Sequence, residues 1–147
     1  MRSIFLAATF ALLSAPLMAQ DVITYTTDES FDDVIFGLEN AILDEGLVVD
    51  GLSHVGTMLE RTRADLGSDV TIFLNADVYS FCSAVLSRQV MEVDPLNVRF
   101  CPYDIFVMQT PDAPDQTTIG YRAYPEGEMK IIEALLDRIA KSAIGIE

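Results

Sequence analysis

The sequence predicts a single compact α/β (α+β) domain over residues 20–147, in which one mixed sheet is layered with helices in the order β-α-β-α-β-α-β-β-α. Three observations predict it. Runs rich in β-branched and aromatic residues alternate with segments whose apolar residues recur every three or four positions. Two strand-like runs follow one another late in the chain, which adds an antiparallel pair to the sheet. Of the 147 residues, the first nineteen read as a removable leader, and the remaining 128 suit one domain.

The leader, "MRSIFLAATFALLSAPLMA", has one Arg2, an apolar run from Ile4 to about Ala15, Pro16, and then small Ala19 before the polar residues that begin at Gln20. That is the layout of a secretory signal peptide, with cleavage expected after Ala19 and a run too short for a permanent membrane anchor. The domain is therefore expected outside the cytosol, in the periplasm or secreted, with no stable membrane insertion once the leader is gone.

The elements then follow in order. "DVITYTT" alternates and opens the domain as a strand. In "SFDDVIFGLENAILDEG", Ser30 and Asp33 form a capping signature, Phe31, Val34, Ile35, Leu38, Ala41 and Ile42 lie at helical spacing, and Gly46 supplies a left-handed stop. "LVVDGLSHV" is a second strand bent at Gly51, and "GTMLERTRADLG" a short helix ending at Gly67. "VTIFLNA" has the near-continuous apolar composition of a strand buried on both faces. From Asp77, read as an N-cap, the residues Val78, Phe81, Cys82, Val85, Leu86 and Val90 predict a third helix that exits at Pro95. "YDIFVMQT" and "TTIGYRAY" are strands joined through "PDAPDQ", and "PEGEMKIIEALLDRIAKSAIGIE" is a closing helix with acids early and bases late.

The features "SFDDVIFGLENAILDEGL", "IFLNA", Asp94-Pro95, Cys101-Pro102 and "GYRAYP" occur in an order that resembles the domain of unknown function 302 family of bacterial proteins. They cover nearly all of the chain beyond the leader. The resemblance implies a compact α/β domain and carries no mechanism with it. Where the family often has glycine-asparagine-proline, this chain has Leu74-Asn75-Ala76, so only Asn75 matches.

Charge narrows the function classes. The leader holds Arg2 and no acid, so beyond it eight Lys and Arg stand against 23 Asp and Glu, a net −15. Such a field repels phosphate backbones and anionic lipids, which disfavours nucleic-acid binding and favours solubility.

Cysteine chemistry follows from export. Outside the cytosol thiols pair, and Cys82 and Cys101 are the minimum for one bridge. Closing that loop stabilises a fold by about 3 kcal/mol in the chain-entropy picture. Two separately buried thiols are the alternative. A metal is not expected: two cysteines and the single His54 fall short of a structural zinc set, and Met91 and Met108 suit core filling better than copper(I). No glycine-rich phosphate loop or haem attachment motif is present, so no cofactor is expected.

Catalytic signatures are weak. "GLSHVG" places its second glycine one position too late for a nucleophile elbow, and any serine would have to use His54. A candidate pocket is drawn from His54, Asn75, Tyr103, Tyr121 and Arg122. The leading reading is an acidic, exported, non-catalytic module that binds a small ligand or a protein partner, braced by one disulfide and open to homodimerisation through a sheet edge or the hairpin. The competing reading is a thiol-dependent enzyme or a carrier of sulfur or soft metal, using Cys82 or Cys101 with His54.

Overall fold

A computed structural model describes residues 22–146, so the expected signal peptide lies outside the described residues. Five strands form one sheet: β1 (Val22–Thr27), β2 (Val49–Ser53), β3 (Asn75–Phe81), β4 (Tyr103–Thr110) and β5 (Ala113–Arg122). Four α-helices join them: α1 (Phe31–Asp44), α2 (Val55–Thr62), α3 (Ala84–Val93) and α4 (Lys130–Ala143), with a 3₁₀ turn at Pro95–Phe100. The element order is the expected one.

The strand order is β1-β5-β4-β3-β2, and every neighbouring pair is antiparallel. The parallel pairing that a β-α-β order suggests is absent from this sheet for a topological reason. β1 and β2 do run in the same sense, but α1 carries the chain from one edge to the other, and β3, β4 and β5 fill the space between them.

Alternation then sorts the side chains. Tyr79 and Phe81, Tyr103, Ile105 and Val107, and Ile119 and Tyr121 all point to one face and are buried there. Val34, Leu38 and Ile42 of α1 and Ile132, Leu136 and Ile139 of α4 cover them. Each such side chain contributes about 1.5–3 kcal/mol of transfer free energy, which makes this face the core. Arg138 of α4 grips Glu45, the C-cap of α1, with Nε–Oε1 and Nη2–Oε2 contacts of 2.9 and 3.1 Å.

Two expectations are corrected. The apolar run "VTIFLNA" is not a buried strand: residues 70–74 leave the sheet, with Val70 66% and Ile72 53% exposed. The reason is register. Asn75 pairs with Gln109 and β4 ends at Thr110, so little partner strand remains beyond that point. The strand lies instead over Asn75–Phe81, where helical spacing had suggested the start of the third helix. That helix begins seven residues after Asp77 at Ala84, capped by Ser83, whose Oγ accepts from the Leu86 amide at 3.3 Å.

The hairpin is also tighter than expected. Thr110 pairs with Ala113, leaving only Pro111 and Asp112 in the turn. Pro114 is tolerated inside β5 because β1 pairs only with Thr117–Arg122, so the missing amide lies on an unpaired stretch. The bend at Gly51 is present as a register shift between Val49 and Gly51.

Candidate functional site

β1, β2 and β4 finish at the same end of the sheet, and β3 and β5 begin there. α1 and α2 start from that end. Between them a cleft of about 490 Å³ is lined by Phe31, His54, Thr57, Arg61, Phe73 and Asn75, with Asp77 among its other walls. That volume suits a small molecule.

His54 follows β2 and Asp77 lies on β3, and the pairing of Ser53 with Val78 sets them side by side. His54 Nδ1 is 2.9 Å from Asp77 Oδ1, with the histidine side chain 59% exposed and the aspartate only 14%. A carboxylate can only accept, so Nδ1 donates. In the neutral ring this leaves Nε2 as an acceptor, without a hydrogen-bond partner among the described residues.

Asn75 is held by a relay across three strands. Its Nδ2 donates to Gln109 Oε1 at 3.0 Å, Gln109 Nε2 donates to Thr117 Oγ1 at 3.0 Å, and the Thr117 hydroxyl donates to the Glu29 carbonyl at 2.8 Å. Thr117 is fully buried, and its one proton is committed to that carbonyl. Its oxygen must therefore accept, which fixes the orientation of both amides and leaves Asn75 Oδ1 free as an acceptor.

α2 supplies the third wall. His54, Thr57 and Arg61 follow the i, i+3, i+7 stripe of one helical face. Gly56 makes the close approach possible, because a Cβ there would lie 2.7 Å from the Ala76 amide nitrogen. Glu60 is occupied by Arg63 and Thr71, whereas Arg61 has no hydrogen bond or ion pair among the described residues.

The remaining predicted site residues lie elsewhere. Tyr103 and Tyr121 are core residues, so the pocket that grouped them with His54 and Asn75 is corrected: they share a sheet face with Asn75 but lie at the opposite end of the strands, buried under the helices. The Tyr103 hydroxyl meets Ser87 Oγ at 2.8 Å. Tyr121 donates to Asp137 Oδ1 at 2.7 Å, and Tyr25 donates to the same oxygen. Burial pushes the Tyr121 hydroxyl well above its ordinary range, and the Asp137 carboxylate pushes it further. Desolvation would raise Asp137, but bonds from Tyr25, Tyr121 and Lys141 outweigh it and hold the carboxyl below its ordinary value. Arg122 lies at the far end of β5, on the uncovered face, in a second cleft with Val22, Asp104 and Phe106.

Cys82 and Cys101 are joined in a disulfide with Cα atoms 6.6 Å apart, tying the end of β3 to the entry of β4. A Cys82–His54 dyad is excluded by position as well as by the bridge. His54 meets Asp77 at the start of β3 and Cys82 lies five residues on, about 16 Å along an extended strand. Among the described residues no group of three or more His, Cys, Asp or Glu is placed to hold a metal, and no helix is long and apolar enough to cross a membrane.

Sequence reasoning took Asp77 for a helix cap and passed over Arg61, Gln109 and Thr117. The signal for Arg61 was legible in its seven-residue spacing from His54; the relay depends on register and left no local trace.

The comparisons agree with this architecture. The chain is similar to an uncharacterized conserved protein of Bacillus stearothermophilus, whose crystal structure matches at a TM-score of 0.60 with 20% identity, covering 86% of this chain and 95% of that one. At that identity the likeness concerns the fold. No curated protein matches the sequence. The family described as "Domain of unknown function DUF302" matches residues 23–142, and with four-fifths of its length inside that match the chain belongs to this family.

Proposed function

We propose that this protein is an exported, non-catalytic binding module whose ligand is a small molecule taken into the cleft between α1, α2 and the start of β3. The observation that carries the reading is the paired fixation of His54 by Asp77 and of Asn75 by Gln109. Two polar side chains at the mouth of one cleft have their orientation set from behind, with their free acceptor atoms left unused by the protein. Preorganised polar groups of this kind reduce the ordering cost of binding.

Export is supported by the leader-like N-terminal sequence and by the disulfide, which an oxidising compartment sustains. The acidic charge supports a small ligand over nucleic acid as the partner.

The test is a screen of small-molecule mixtures by NMR, read at the His54 ring and the Asn75 side-chain amide. Binders are expected to move both sets of resonances, and His54→Ala is expected to abolish binding. Binders that move only resonances near Arg122 would place the site at the other end of the sheet and overturn the reading. Intact mass of the native protein is expected to show an N-terminus at Gln20 and two thiols blocked until reductant is added; an unprocessed chain with free thiols would overturn export.

A further inference from the structure

The pairing of the basic residues singles out two of them. Among the described residues, acids outnumber Lys and Arg by nearly three to one, and most bases are taken: Arg63 by Glu60, Arg88 by Glu92, Lys130 by Glu133, Arg138 by Glu45 and Lys141 by Asp137. Arg99 bonds the Leu96 carbonyl and lies 4.4 Å over the Phe100 ring. Only Arg61 and Arg122 make neither an ion pair nor a hydrogen bond among the described residues, and each lines a cleft of about 490 Å³. In so acidic a chain, an arginine left without a carboxylate is available to an anion brought from outside.

The Arg122 cleft sets the Asp104 carboxylate, held by Ser80 at 2.6 Å, among its walls, where it would repel an anion, whereas the Arg61 cleft adds neutral oriented acceptors to its cation. Asn75 Oδ1 is aimed by the relay from Thr117, and His54 Nε2 by Asp77. These atoms call for a hydrogen-bond donor on the ligand. Phe31, Phe73 and Leu74 supply apolar wall. One guanidinium matches one carboxylate, by a bidentate pair; a phosphate dianion would meet a single cation inside a strongly negative field.

We infer that the ligand is a small carboxylic acid carrying a hydroxyl or ammonium group on its α-carbon and an apolar tail. Arg61 holds the carboxylate, Asn75 and His54 accept from the α-substituent, and the phenylalanines receive the tail. This rests on the cleft being the ligand site, as proposed above, and adds the chemistry of the ligand.

The probes are 2-hydroxy-4-methylpentanoate, leucine, 4-methylpentanoate and 3-methylbutylamine, titrated into the whole protein by calorimetry and by NMR at His54. The first two are expected to bind. 4-Methylpentanoate, lacking the donor, is expected to bind about tenfold more weakly, the effect of one lost hydrogen bond, and the amine not at all. Arg61→Gln is expected to weaken the hydroxy acid by tenfold or more, Asn75→Ala to erase its advantage over the deoxy acid, and Arg122→Gln to change neither. Arg61 is exposed, so its replacement leaves the fold intact.

Binding of the amine alone at His54, or equal binding of the hydroxy and deoxy acids, would overturn the ligand class and leave the cleft standing as a site. Binding that moves Arg122 and not His54 would overturn both. Silence of all four probes at His54 overturns the ligand class, and the mixture screen above then decides the cleft.

Discussion

Gly37 of α1 passes so close to Ala143 of α4 that a Cβ on the glycine would lie 2.1 Å from the Ala143 carbonyl oxygen. The helix layer is thus set by a backbone contact. Alanine would gain about 1 kcal/mol of helix propensity over glycine at this position. The clash is with main chain, which has no flexible end to move aside, so the two helices would have to separate. Gly37→Ala is expected to lower stability by roughly 1–3 kcal/mol in urea unfolding, and a raised midpoint would refute the close approach.

The disulfide encloses α3 and the 3₁₀ turn between β3 and β4. Cys82→Ser and Cys101→Ser are each expected to cost about 3 kcal/mol, because each removes the same loop constraint from the unfolded chain. The double variant is expected to cost little more than either single one, as measured by denaturation in a thermodynamic cycle. Strongly unequal single values would mean that one sulfur has a further role.

Asp137 links α4 to both β1 and β5 through Tyr25 and Tyr121, with Lys141 3.0 Å from its other oxygen. Its carboxyl is held below the ordinary value in the folded protein, so the unfolded chain takes up a proton first as pH falls. The stabilisation is therefore fully present above about pH 4, the ordinary aspartate range, and is lost as pH falls through the depressed native value. Asp137→Asn is expected to be less stable by about 1–3 kcal/mol at pH 7, with the gap to the wild type closing in acid. A gap independent of pH would show that charge is not involved.

Asp77 sets the tautomer of His54. At a pH where the ring is neutral, nitrogen chemical shifts are expected to show the proton on Nδ1. Asp77→Asn can present either an amide donor or an acceptor, so the population is expected to move toward the Nε2–H tautomer. An unchanged spectrum would mean that the 2.9 Å contact does not orient the ring.

Much of the fold was legible because its signals are local. Ser30 caps α1 as its spacing from Asp33 suggests: the Asp33 amide donates to Ser30 Oγ at 3.2 Å, and Gly46 follows with a φ of 74°. β3 was misread because Val78, Phe81, Cys82 and Val85 satisfy helical spacing, while Tyr79 and Phe81 satisfy strand alternation equally well. Only pairing with β4 decides between them, and that partner lies some twenty-five residues away. The candidate site failed for a related reason. His54 and Asn75 were named on their own merits and do share a cleft, but Asp77 gives no sign in sequence of the histidine 23 positions earlier. Tyr103 and Tyr121 were grouped with them by type, and register places both at the far end of the same sheet face, in the interior.

The crossover by α1 leaves the first strand at one edge of the sheet, bonded solely to the last. A chain delivered from its amino end can therefore assemble the β2-β3-β4 half early, while β1 waits unzipped until Thr117–Arg122 arrives. Closing that ladder joins the start of the described chain to a strand near its end, and a contact of such long range is slow to form.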